Sequence, residues 1–221
     1  MSRRREKKKR ILPIIIVLVI LAIVVVLGIF LMKKFTTKTE KKTENKIEKV
    51  DNIDNYDYNL YKNSSKLYKK YFEDLKKVLN EKEIDEEEYA KLVAELFVID
   101  FYSLDTHITN QDVGGIDFIY SDIKENFSLK ATDTIYKYVE SNVYGDRKQS
   151  LPMVKEITKA DVVTKRYTYT SPDKKIVIND NHAYFVALGW TYEDGNTKYQ
   201  TSATITLVHE KDKLLSIVSV K

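Results

Sequence analysis

The sequence predicts an α+β domain, with helices packed on a curved antiparallel sheet, behind one N-terminal membrane-spanning helix. Three observations predict it. Residues 11–32 carry no charge, the apolar residues from 58 to about 142 recur at helical spacing, and after Pro152 the pattern changes to alternation with turn residues between apolar runs. Helices followed by an antiparallel meander is the order of an α+β fold rather than of a parallel α/β one.

The first ten residues hold seven basic side chains and one acid, a cytoplasmic tail by the charge bias of membrane proteins. Residues 11–32 (ILPIIIVLVILAIVVVLGIFLM) are 22 in number, 18 of them Ile, Leu, Val or Phe. At about 1.5 Å per residue they reach about 33 Å, enough for a bilayer core. The exit Lys33-Lys34-Phe35 is not a small-residue cleavage site, so the segment reads as a retained anchor rather than a signal peptide. Its flanking charge places the N-terminus inside and the remainder outside the cytoplasmic membrane. Residues 33–55 mix seven Lys with five acids among few apolar residues and predict a polar linker.

Residues 56–221 suit one domain with its own core. Within it, Leu60, Leu67, Tyr71, Phe72, Leu75, Val78 and Leu79 share one side of a helix over 58–79. A second helix starts at Asp85, which with Glu88 forms an Asp-x-x-Glu capping pattern, and continues the stripe Tyr89, Leu92, Val93, Leu96, Phe97 toward Phe101. Shorter helices are predicted over 118–126 and 132–142. Strands are predicted over 183–193 (AYFVALGWTYE) and 198–209 (KYQTSATITLVH), joined by an Asp194-Gly195 turn. Others are expected within 154–170, at 175–179 and at 214–220, the last after the turn Lys211-Asp212-Lys213.

Composition excludes several functions. There is no cysteine, so disulfides, thiolate catalysis, zinc knuckles and a lipid-modified cysteine are ruled out. The domain holds 23 basic against 27 acidic residues, which argues against nucleic-acid binding by its body. Frequent Lys, Ile, Asn and Tyr point to a low-GC Gram-positive bacterium. No phosphate loop follows Gly114-Gly115, and His107, His182 and His209 show no His-Glu-x-x-His spacing. No Gly-x-Ser-x-Gly elbow occurs. We expect no catalytic residue, no metal site and no cofactor.

The stretch DFYSLDTHITNQDVGG (100–115) is the most unusual locally, because Asp100 falls on or beside the apolar stripe of the second helix and needs a partner there. Asp100, Asp105, His107 and Asp112 could share a proton or a cation. The favoured reading has Asp100 accepting from a buried Tyr or a backbone N–H, with Asp105 and Asp112 in turns. Asp100, Tyr102, Asp105, Asp112 and Trp190 are the candidate pocket or interaction residues. The many helical Tyr suit either a core rim or a contact surface.

The capped helix at 85–103 and the strands AYFVALGWTYE, KYQTSATITLVH and LLSIVSVK together resemble the nuclear-transport-factor-2-like cone fold. With the tail, single helix and linker, the chain resembles the bitopic assembly-factor subunits of type IV secretion and conjugation machines. The likeness is one of architecture and transfers no functional residue. It implies a membrane-anchored extracytoplasmic scaffold that binds envelope or secretion-complex proteins, or itself, without chemistry. The alternative is an envelope ligand-binding or enzymatic domain using the cone interior, with Asp100 and Trp190 as lining.

Overall fold

A computed structural model describes residues 47–195, 198–211 and 213–221. The basic tail, the expected membrane helix at 11–32 and most of the linker lie outside the described residues. Among the described residues no helix is long and apolar enough to cross a membrane. The described residues all fall within one compact unit.

In chain order the elements are β1 (Lys49–Ile53), β2 (Tyr58–Tyr61), α1 (Lys66–Leu79), α2 (Glu86–Phe101), α3 (Ser121–Asp133), β3 (Val154–Thr170), β4 (Val177–Tyr192), β5 (Ser202–His209) and β6 (Leu215–Val220). The sheet β3-β4-β5-β6 is an antiparallel meander, and β1-β2 is a separate hairpin. The α+β expectation therefore holds at the level of helices packed on a four-stranded antiparallel sheet.

The capping pattern at Asp85 acts as written: its side chain accepts from Glu88 N at 3.1 Å, and Glu86, Glu87 and Glu88 set negative charge against the helix N-terminus. Eleven α2 residues are buried, more than the predicted stripe, because α1 covers one side of α2 and the sheet covers the other. Along β4, Tyr184, Val186, Leu188, Trp190 and Tyr192 face the helices and are buried, while Ala183 and Phe185 point to the other face. There they join Ile178, Val208 and Tyr167 in a small second cluster.

Several expectations need correction. The linker does not run to Asn55: Lys49–Ile53 is a strand and Ile53 is buried. The helix predicted from residue 58 starts at Lys66. Tyr58 and Leu60 are buried in alternation with half-buried Asn59 and Tyr61, a period of two that helical spacing further along had masked, and Ser65 caps the true start by accepting from Tyr68 N at 3.0 Å. The helix expected over 118–126 is broken at its start: Phe118 ends a short 3-10 turn (Ile116–Phe118), Ile119 bridges Ile217, and α3 begins after Tyr120. No helix spans 132–142. The Thr132 and Thr134 hydroxyls donate back to Leu129 O and Lys130 O, and the chain then turns, leaving Tyr138 exposed and Tyr136 buried. The strand expected at 175–179 is the start of β4, and β5 begins at Ser202 rather than at Lys198.

A closed set of three hydrogen bonds joins β2 of the hairpin to α2 and β6. Tyr58 OH donates to Leu215 O at 2.7 Å, Leu215 N donates to Tyr89 OH at 3.1 Å, and the two hydroxyls are 2.6 Å apart. Each phenol has one proton, so Tyr89 donates to Tyr58 and the three bonds close into a ring joining β2, α2 and β6.

Candidate functional site

The end of α2 divides the candidate residues. Asp100 and Tyr102 are two positions apart on a helical turn and so reach opposite sides. Asp100 Oδ2 accepts from Gly115 N at 2.6 Å, which is the backbone partner its place beside the apolar stripe demanded. Gly115 has φ +68°, and a Cβ there would lie 2.6 Å from the Phe97 ring. A Cβ on Gly114 would meet Asp100 O at 2.6 Å. The glycine pair is therefore fixed by close approach to α2.

His107 is 3% exposed. Its Nε2 lies 3.0 Å from Asp100 O and 3.3 Å from Tyr136 OH. The Tyr136 proton goes to Phe101 O at 2.7 Å, and Gly114 N donates to the same hydroxyl at 3.0 Å. Asp100 O can only accept, so Nε2 carries a proton. Asp112 Oδ2 accepts from Ile108 N at 2.9 Å and lies 3.6 Å from His107 Nδ1. Burial opposes the His107 imidazolium, but the Asp112 and Asp100 carboxylates outweigh it and hold the ring's pKa above its ordinary value. Burial also raises the pKa of Asp100, and neither His107 nor the Gly115 N–H cancels that rise.

Asp117, from the turn before α3, accepts from Tyr61 OH at 3.0 Å and Asn59 Nδ2 at 2.9 Å. Asp100, His107, Asp112 and Asp117, with Tyr61 and Tyr68, line a cleft of about 240 Å³ that has no Lys or Arg in its wall. Asp100, His107 and Asp112 are thus brought together, chiefly by bonds to backbone groups. The arrangement latches the 100–115 excursion against α2. Among the described residues no three acidic or imidazole groups converge to hold a metal ion.

Asp105 is elsewhere. It is exposed, and its main-chain and side-chain oxygens accept from Arg147 Nη2 at 2.7 and 3.1 Å. Arg147 Nη1 reaches His107 O at 2.8 Å and Glu140 O at 3.3 Å, and its side chain is only 2% exposed. This planar fork, tying two loops, escaped sequence reasoning. The available signal was scarcity: after residue 10 the chain has two arginines among many lysines, and a buried multidentate contact is where lysine cannot substitute.

Tyr102 and Trp190 pack together with ring centroids 4.8 Å apart and planes tilted by 34°, on the sheet side of α2, and Tyr102 OH donates to Gln200 Oε1 at 3.1 Å. They form core structure away from the acidic cleft. Glu95 was also missed. It lies one turn after Leu92 and next to Leu96 in the middle of α2, is 5% exposed, and burial pushes its pKa up to about 7.

The chain's likeness to other proteins does not extend what its geometry says. No family model, no curated protein and no solved structure matches it.

Proposed function

We propose that this chain is a membrane-anchored, extracytoplasmic interaction module, a structural scaffold subunit of the kind found in conjugation or type IV secretion machines. The proposal includes the residue 11–32 anchor and the nuclear-transport-factor-2-like cone. Their support is the uncharged 22-residue run and the order of helices followed by an antiparallel meander.

The observation that carries the scaffold reading is the β3-β4 arm. These strands run for 17 and 16 residues, whereas β5 pairs with β4 only between Tyr184 and Gly189. The outer part, through Tyr169↔Ile178 and Thr170↔Val177, is a two-stranded ribbon. A ribbon alone is marginally stable in water. This one nevertheless exposes Tyr169 (40%) and Val177 (65%), and Val163 (47%) is exposed on the same edge strand at the base of the ribbon, opposite Phe185. Apolar side chains held out on a projecting hairpin with an open edge suit contact with another protein.

Site-specific photo-crosslinkers at Val163, Tyr169 and Val177 of the full chain, in the cells that carry it, test the reading. Discrete higher-mass adducts are expected at all three. Monomer alone at every position overturns the scaffold, and a C-terminus shielded from protease added to intact protoplasts overturns the topology.

A further inference from the structure

A groove of about 480 Å³ separates α3 from β6. Ile123 and Phe127, one turn apart on α3, face Ile119, Ile217 and Val220 across it. Facing apolar surfaces in a folded chain ordinarily close to crystal-like density. Here they have not closed. Ala131 alone of the 13 residues of α3 is buried; Phe127 packs against Phe97 and Phe101, yet it and Ile123 stay half-buried along the groove.

The wall defines the occupant. Lys130 and Lys221 line the groove and no Asp or Glu does, so a cationic guest is disfavoured and an anionic one attracted. The floor is aliphatic and aromatic, so the guest is apolar along most of its length. The volume is that of a small-molecule site. A partner's β-strand is a poor fit, because the outer edge of β6 is already engaged midway: Tyr120 N donates to Ile217 O at 3.0 Å and Ile119 bridges Ile217.

We propose that this groove binds a single-chain amphiphile with an anionic head, of the fatty-carboxylate class. The chain lies between α3 and β6, and Lys130 and Lys221 meet the head. Neither Asp100 nor Trp190 touches the guest. Tyr102 does, and it carries the contact to Trp190, the only tryptophan of the chain.

Trp190 makes the site readable in the full chain reconstituted in zwitterionic vesicles. Terminally brominated decanoate, below its micelle concentration, is titrated against the terminally brominated decyltrimethylammonium cation. Saturable quenching that favours the carboxylate by about five-fold, the scale of one exposed ion pair, is expected. It is lost in Ile123→Asp, and Lys130→Glu removes the preference for the carboxylate. Should Ile123→Asp fail to melt cooperatively, Lys130→Glu, an exposed position, decides alone. Equal quenching by both heads, or quenching unchanged by Lys130→Glu, assigns the signal to the bilayer and overturns the proposal. Concentration-dependent dimerisation abolished by Ile123→Asp places a second copy in the groove and overturns it as well.

Discussion

Helices α2 and α3 flank the same sheet and are similar in length, yet they are held in opposite ways. Eleven of the 16 residues of α2 are buried, against one of the 13 of α3. The difference follows from what each sequence offers. The α2 segment supplies apolar groups on all sides, and α1 covers the side that the sheet leaves open. The α3 segment SDIKENFSLKATD has only Ile123, Phe127 and Ala131 in one stripe, with Leu129 on the solvent side at 58% exposure. One helix is a spine whose removal would unfold the domain. The other is a half-seated flap, and a half-seated surface is where a guest can add stability.

The comparison breaks most plainly at Phe97, buried in α2 against Phe101 and Phe127. Phe97→Ala is expected to cost about 3–5 kcal/mol in urea unfolding. A loss under about 1 kcal/mol would mean that α2 is no spine.

Next in size is the charge buried inside α2. The pKa of Glu95 is raised from 4.5 to about 7, so the folded state prefers it protonated. The stability this gives is complete below the unfolded value and is lost as pH rises through about 7. Glu95→Gln should therefore leave the domain nearly unchanged near pH 4.5 and stabilise it by up to about 3 kcal/mol above pH 7. Parallel pH profiles for the two proteins would show that Glu95 is already paired. His107 and Asp100 also have raised values, and so add slopes of the same sign that the variant does not remove.

The fastening of α2 to the ends of the chain comes third. Tyr58→Phe takes one hydroxyl from the ring that includes Tyr89 and Leu215, leaving Leu215 O without its donor in a buried place. The expected loss is about 1–3 kcal/mol, with faster amide exchange at Leu215. Unchanged exchange there would show that the bonds do not act as a unit. The smallest effect belongs to the flap: Leu129→Lys should shift stability by no more than about 0.5 kcal/mol. A larger loss would mean that α3 is seated after all.

What was legible in the sequence had a local cause. The Asp85 cap and the alternation along β4 each act within a few residues, and each appears where its pattern puts it. Long-range partners decided the rest. Tyr58 and Leu60 read as helical until α2 and β6 claim Tyr58, and Ile119 leaves its expected helix to bridge a strand about a hundred residues on. At the candidate site the need of Asp100 for a partner was readable, but Gly115 N as that partner was not. Arg147 and Glu95 carry no local pattern, and only the fold reveals that one is a buried fork and the other a buried acid.

The hydroxyl ring has a mechanical meaning. A pull on the N-terminal end of the described chain enters at β1, crosses the ladder to β2, and divides at Tyr58 between the long central helix and the final strand. Strain therefore spreads at once into both layers instead of peeling residues from one end. Seen this way, the domain is gripped near its middle, and tension applied at Lys49 would reach the core before it reached the projecting arm.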